Sequence, residues 1–448
     1  MDRKKIVIVG GGSNLWAPNI VKDMMLMDAL ADSEFVLYDI DKKASDLVAG
    51  FLKKLNEKLK TKAGIVSTSD RKTAFEAADY FVITISTGGL KAMARDISIP
   101  EEYGIYHTVG DTCGPAGWAR TIRNFQAFVS LAEDINRYAK GAVVLNYSNP
   151  IPTLTGVLAR VYEGPVVGLC HGLFNNLEFI KALYKLPDER EASVKFAGLN
   201  HFFWIKEART RDKDIFTDLK KRVATEGFTK LFKTAYSDSP ENWSSGELAT
   251  ALFNEIGFMP YLGDRHTCEF FPYYITSKKR LKQYKLRRTT VEERARGYQE
   301  REKKLRQIVR ATSVKEIPRP YFFRSREAAA DIIAAHKNGN TYIDVGNLPN
   351  IGQISNLGQT IVVETAVLVD RNGFSPIGFG PLPQPVLGLI EPHVHLFLLT
   401  LQACFQKDKG LALRALRLDP SCSHLDGPSL REMGRRLLQA HRGFDLPF

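Results

Sequence analysis

Two side chains with an affinity for borderline and soft metals each follow an apolar run. Cys170 ends Val167-Gly168-Leu169 and is followed by His171-Gly172. His201 ends Gly198-Leu199-Asn200 and precedes Phe202. A thiolate and an imidazole together suit Zn, Mn, Fe, Co or Ni, and two protein ligands leave positions open for substrate oxygens. Near the start, Val9-Gly10-Gly11-Gly12-Ser13-Asn14 reads as a glycine-rich turn. Such a turn brings N–H groups close to a pyrophosphate at a helix start. A metal site and a dinucleotide site in one chain point to redox chemistry at a hydroxyl-bearing carbon. The net reaction need not be a redox one. Plainer readings stand beside this one: a buried cysteine is often inert, and a lone histidine is often simply hydrogen bonded.

The flanking segments must position these groups. Ile6-Val7-Ile8-Val9 is a continuous apolar run, as expected of a parallel strand buried on both faces. Trp16 to Val21 opens a helical pattern. Phe35-Val36-Leu37-Tyr38 predicts a second strand, ending at Asp39. A carboxylate there could hold a ribose diol and would disfavour a 2′-phosphate, although Lys42 and Lys43 keep NADP open. The third glycine of the usual fingerprint is absent. Tyr80 to Ile85 predicts another strand, running into Ser86-Thr87-Gly88-Gly89 as a loop over the cofactor. Gly141 to Tyr147 predicts one more, followed by Ser148-Asn149-Pro150. Ligands gather beyond the carboxyl ends of such strands, so Asn146, Asn149 and Thr153 are placed to meet them. Between these strands lies the loop and helix from Arg95 to Arg123, with Gly110-Asp111-Thr112-Cys113-Gly114-Pro115 at its centre. Asp111 could cap a helix or hold a substrate hydroxyl.

The 448 residues are too many for a typical single domain. Two intimately packed domains are expected, at 1–195 and 196–448. No run reaches the roughly eighteen apolar residues of a membrane span. The basic start and short apolar run at residues 1–9 end in glycines rather than a cleavage site, so a cytoplasmic protein is expected. Five cysteines, at 113, 170, 268, 404 and 422, form no CxxC pair. They fit a reducing compartment. The formal charge of +12 is densest from Lys278 to Arg310, where glutamates interrupt it. Mixed signs on a helical stretch read as a solvated face, with a polyanionic partner such as an acidic polysaccharide or nucleic acid as the alternative; no nucleic-acid partner is expected. The excess positive charge would steer a small anionic substrate.

These motifs, together with Asn347-Leu348-Pro349-Asn350 and Gly352 to Leu357, resemble glycoside hydrolase family 4, the NAD- and divalent-metal-dependent glycosidases. The resemblance covers nearly the whole chain. It implies an α/β fold, with a Rossmann-like domain joined to a mixed α/β domain related to lactate and malate dehydrogenases. It implies NAD+ and Mn2+ (or another divalent metal) as cofactors, a sugar substrate, and a homodimer or homotetramer. Metal ligation falls to Cys170 and His201. Cofactor contacts fall to Gly10, Gly12, Ser13, Asn14, Asp39, Thr87 and Asn146. Substrate contacts fall to Asn149, Arg95, Arg265 and Asn350. The implied chemistry is oxidation at C3, loss of the C2 proton, elimination of the C1 substituent, water addition and return of hydride. No pair of carboxylates for direct displacement is evident. Phospho-sugar members carry an acidic aspartate after the metal cysteine; here that position is His171. Their tyrosine base has no match in the middle of Tyr261 to His266. Asp264, His266 and Tyr261 are candidates instead, and Asp111 is a further catalytic candidate. Cys-His-Gly looks like the non-phosphorylated branch. The expected reaction is hydrolysis of a terminal α-linked hexuronic acid. A neutral-sugar α-glucosidase or α-galactosidase is the alternative, and so is an NAD-dependent hydroxyacid dehydrogenase. Near the C-terminus, Ser429 and Glu432 have the spacing of a capping box.

Overall fold

The computed structural model describes residues 3–211, 213–236, 244–311 and 317–448. Its first half has six strands: β1 (Lys5–Val9), β2 (Glu34–Tyr38), β3 (Gly64–Thr68), β4 (Tyr80–Ile83), β5 (Val143–Asn146) and β6 (Val166–Gly168). All pair in parallel, in the order β3-β2-β1-β4-β5-β6. This is the doubly wound dinucleotide order, with its switch point between β1 and β4. The apolar runs follow from burial on both faces. Val7 and Val9 pack with Ile122, Phe125 and Phe128 of the helix Gly114–Tyr138. Ile6 and Ile8 point the other way, among Ile20, Val21 and Met24 of the helix Trp16–Met25. Alternating side chains on a strand require this division.

The sheet does not stop at β6. It continues through β11 (Tyr342–Pro349), β12 (Val362–Asp370), β7 (Ala192–Leu199), β8 (Phe202–Thr210) and β10 (Met259–Pro260), all antiparallel. β9 (Lys213–Asp214) and β13 (Gly373–Pro376) pair at its margins. The division expected at residue 195 falls inside β7. Leu305 and Ile308 of the helix Val291–Arg310 also join the first-half core, as do Ala329 to Ile333 of the helix Ala329–Asn338. The two halves therefore share one sheet and one of its packed faces.

Among the described residues, one helix, Gln384–Gln406, is long and apolar enough to cross a membrane. More than half of its most apolar stretch is buried inside the protein, where Val394, Phe397 and Leu401 join the core. That is how a core helix looks. The capping box expected at Ser429 is not formed. The helix Gly427–Ala440 starts earlier and is capped by Asp426, whose carboxylate accepts from Ser429 N at 2.8 Å.

Candidate active site

Three ligand-bearing side chains converge at the carboxyl end of the parallel strands. Asp111, His201 and His266 each offer one donor atom, and the three atoms lie within 4.8 Å of one another. They come from three separate segments. Asp111 lies in the loop before the helix Gly114–Tyr138, and His266 in the short helix Asp264–Thr267. His201 sits at the tip of a hairpin, since β7 ends at Leu199 and β8 begins at Phe202, directly opposite. The chain reverses there. His201 takes φ +63°, a left-handed conformation in which histidine is among the better-tolerated residues. Gly198 permits the tight return. A Cβ at that position would lie 2.4 Å from the Phe202 carbonyl oxygen.

Hydrogen bonds fix the tautomer of His201. The Thr112 hydroxyl lies 2.9 Å from Asp111 Oδ1 and 2.8 Å from His201 Nδ1. Its single proton goes to the carboxylate, so it accepts from His201 Nδ1–H. That leaves Nε2 unprotonated and able to ligate. Burial lowers the basicity of His201, and His266 beside it adds to the effect. Burial likewise takes His266 down to about 4. Both imidazoles are therefore neutral at neutral pH. For Asp111, burial alone would raise the carboxyl, but neighbouring positive charge, including the guanidinium groups of Arg120 and Arg294, holds it well below its ordinary range. With the imidazoles neutral, the two arginines keep it ionised. One carboxylate and two neutral imidazoles suit a divalent cation. His266 Nδ1 and Asn149 Oδ1 are buried without a hydrogen-bond partner, as groups awaiting a ligand would be.

The loop carrying Asp111 is shaped by Glu269, a residue its sequence position left unexplained. The buried Glu269 carboxylate accepts from the N–H groups of Thr108, Val109 and Gly110 at 2.7, 2.7 and 2.9 Å. Arg294 donates to the Val109 carbonyl from the helix Val291–Arg310. The basic stretch is thus not only a solvated face. Arg120 Nε donates to the Asn149 carbonyl at 2.9 Å and fixes that turn beside the site.

Cys170 is not one of the three clustered donors. Its Sγ accepts from Gly172 N at 3.3 Å, and burial pushes its thiol pKa up. It adjoins the group through Tyr261, whose ring stacks on His201 at 6.0 Å. A Cβ on Gly172 would touch both that ring and Cys170 Sγ. His171 is exposed at the start of the helix Gly172–Tyr184. Its Nδ1 lies 3.5 Å from Glu327, which raises its pKa.

Several expected contacts are spent elsewhere. Asp264 is fully buried, and its Oδ2 accepts from Gly246 N and the Ser245 hydroxyl, which ties it to the start of the preceding helix Glu247–Ile256. The Asn146 side chain bonds with Ser148 and Thr155. Asn350 donates to the carbonyls of Ile354, Leu357 and Gly358 and so organises its own loop. Asn14 binds Tyr298 O and Arg301 Nε, joining the glycine turn to the helix Val291–Arg310. Arg95 is exposed on the helix Gly89–Glu102. Arg265 donates to Thr289 Oγ1 at 2.7 Å, and its buried Nε has no partner.

The glycine turn is tight. Gly10 takes φ +92°, and the N–H groups of Gly10 and Gly11 both point to the Tyr38 carbonyl. Asp39 has an added duty: its Oδ2 accepts from Gly12 N at 2.8 Å and closes the turn. Ser13 Oγ accepts from Trp16 N at the helix start. Thr87 lies in the loop beyond β4, whose first residue, Thr84, donates from its N–H to the Val9 carbonyl next to the glycine turn.

Glu364, in β12, is the residue that sequence reasoning most clearly missed. It is fully buried and accepts from Asn200 Nδ2 at 2.8 Å and Asn347 Nδ2 at 2.9 Å. Asn200 precedes His201, so this carboxyl anchors the hairpin tip. A lone charge within the apolar run Ile361 to Ala366 was the available signal. Burial raises its pKa to about 7, against an ordinary 4.5. The stability it lends is present below pH 4.5 and lost as pH rises through 7. In metal-free protein, Glu364→Gln should remove that loss. Its stability advantage should grow from pH 5 to pH 8 and level off on the order of 3 kcal/mol. Parallel urea-unfolding curves across that range would refute the assignment.

The chain is similar to known proteins over nearly its whole length. Residues 5–186 match the family described as Family 4 glycosyl hydrolase, and residues 196–422 match its C-terminal domain. An α-galacturonidase of Bacillus subtilis (strain 168) is 31% identical over 438 residues, covering 94% of each chain. An α-galactosidase of the same organism is 29% identical over 424 residues, again covering 94% of each. The solved structure of lplD from Bacillus subtilis superimposes with a TM-score of 0.88 at 28% identity, over 98% of this chain and all of that one. The fold likeness extends to malate dehydrogenase from Plasmodium falciparum, with a TM-score of 0.52 at 12% identity over 90% of this chain and 99% of that one.

Proposed function

This chain belongs to glycosyl hydrolase family 4, and from that premise we propose that it hydrolyses terminal α-linked hexosides with NAD+ and a divalent cation such as Mn2+. The observation that carries the proposal is the Asp111, His201 and His266 donor group, set at the carboxyl end of a dinucleotide-type sheet. Those three side chains, with Cys170 beside them, would hold the cation. The turn Gly10 to Ser13, with Asp39 and Thr87, would hold NAD+. Bound there, the two groups would supply a hydride acceptor and a Lewis acid for oxygens on adjacent sugar carbons.

The chain's own residues do the rest. Asn149 Oδ1, buried and unpartnered, can accept from a sugar hydroxyl. His171 keeps a proton more readily than an ordinary histidine because Glu327 lies against it, so it can protonate a leaving oxygen. The hydrophobic surroundings of Tyr261 disfavour its phenolate, which makes it a poor base in the absence of a cation.

The sugar class is a finer matter. The relatives named for a uronide and for a neutral hexoside together support the broad α-glycosidase reading, neutral sugars included, better than a hexuronide alone. The hexuronide reading draws on a separate observation. Arg265 and Arg294 each carry a buried Nε without a partner near the donor group, and a carboxylate could satisfy both. A panel of 4-nitrophenyl α-glycosides and α-uronides, with NAD+, Mn2+ and a thiol reductant, separates the cases. Faster release from neutral sugars would remove the uronide reading. Hydrolysis in D2O should place deuterium at C2 of the released sugar. Its absence would reject the elimination route. Net accumulation of NADH would favour a hydroxyacid dehydrogenase instead.

A further inference from the structure

A second buried polar network lies apart from the donor group, under the loop beyond β4. Asp96, Arg123 and His441 meet there with side chains between 0% and 2% exposed. Arg123 Nη1 donates to Asp96 Oδ1 at 2.6 Å, and His441 Nε2 lies 2.6 Å from the same oxygen. Arg123 Nε donates to the Thr87 carbonyl at 2.8 Å. The next residue along, Asn124, accepts from Thr87 N at 2.9 Å. Consecutive residues of one helix thus grip both main-chain groups of Thr87.

The other side of the loop meets the segment after the helix Gly427–Ala440. A Cβ on Gly88 would lie 2.5 Å from the Phe444 ring, and Gly88 takes φ +80°. The His441 and Phe444 rings are neighbours, with centroids 6.0 Å apart. At its start the same loop touches the glycine turn. Thr84 N donates to Val9 O at 2.8 Å, and a Cβ on Gly10 would lie 2.9 Å from the Thr84 carbonyl oxygen. Residues 84–88 are therefore held between the glycine turn and the segment carrying His441 and Phe444.

Burying an aspartate, an arginine and a histidine together is expensive, and such clusters serve geometry more than stability. None of the three touches the donor group, and their shared output is the position of Thr87 and Gly88. We infer that His441 and Phe444 are positioning residues for the dinucleotide cofactor, acting on the Thr87 loop through Asp96 and Arg123 and by direct packing. The inference rests on the reading of that loop as part of the NAD+ site.

The test is NAD+ binding by the full chain, followed by calorimetric titration, with Mn2+ binding followed by electron paramagnetic resonance. His441→Ala and Phe444→Ala should each raise the NAD+ dissociation constant roughly tenfold, a modest coupling between linked sites, with Mn2+ affinity unchanged. His441→Gln keeps a donor in the place of Nε2 and should restore most of the affinity. Unchanged NAD+ binding in both alanine variants overturns the inference. So does an equal loss of Mn2+ binding, which would mark a merely structural role. Should His441→Ala fail to fold, Phe444→Ala decides alone. Absence of NAD+ binding by the unaltered chain is a different failure: it removes the cofactor reading itself, and this inference with it.

Discussion

His201→Asn should lower metal-dependent turnover by roughly a thousandfold, the equivalent of about 4 kcal/mol of transition-state stabilisation. The choice of asparagine matters. His201 occupies the left-handed region at a hairpin tip, a conformation that costs an ordinary residue roughly 1–2 kcal/mol. Asparagine adopts it readily, so the hairpin should close as before. The substitution then removes an imidazole and little else. Thr112 keeps its bond to Asp111, and Glu364 keeps its hold on Asn200. NAD+ binding and the unfolding midpoint should change little, while Mn2+ affinity falls. Turnover close to that of the unaltered protein would refute His201 as a ligand. Loss of NAD+ binding as well would mean that the two sites are less separate than the fold suggests.

The first half of the fold was legible because its physics is local. A parallel strand buried on both faces must be apolar throughout, and Ile6 to Val9 and Tyr80 to Ile83 are. The glycine turn and Asp39 were legible for the same reason, although Asp39 proves to close the turn through Gly12 N. The donor group was not. Asp111 and His266 read as catalytic candidates, and only the fold brings them to His201 across wide gaps in sequence. The hairpin was missed because Asn200-His201 carries no glycine between two apolar runs. Gly198, two residues earlier, was the clue, since it clears the returning strand. Arg294 was hidden by composition. A mixed-charge helix reads as solvated, yet one of its arginines turns inward to Val109. The side chains of Asn350 and Asn146 turn to neighbouring segments. Both are polar residues near strand ends; Asn350 bonds within its own loop, and Asn146 bonds to Ser148 and to Thr155 of the helix Ile151–Val161.

Gly12→Val should produce the complementary defect. A Cβ at this position would lie 2.7 Å from the Ala44 Cβ and 2.9 Å from Asp39 Oδ2. Ala44 belongs to the helix Lys42–Leu59 and has no side-chain freedom with which to yield. The turn must therefore move, and the bond from Gly12 N to Asp39 is lost with it. A displacement of about 1 Å in a positioned site costs on the order of a hundredfold, so NAD+ affinity and turnover should both fall by at least that much. The donor group stands on other segments, so Mn2+ binding should persist. His201→Asn and Gly12→Val would then divide the two requirements, one variant keeping NAD+ and the other keeping the metal, with neither hydrolysing substrate. That pattern is hard to obtain from direct displacement by two carboxylates, which needs no nicotinamide. It is what a reaction passing through a transient ketone demands. Retention of full hydrolysis by Gly12→Val, with NAD+ binding shown to be lost, would rule out the oxidative route even though the family membership stands.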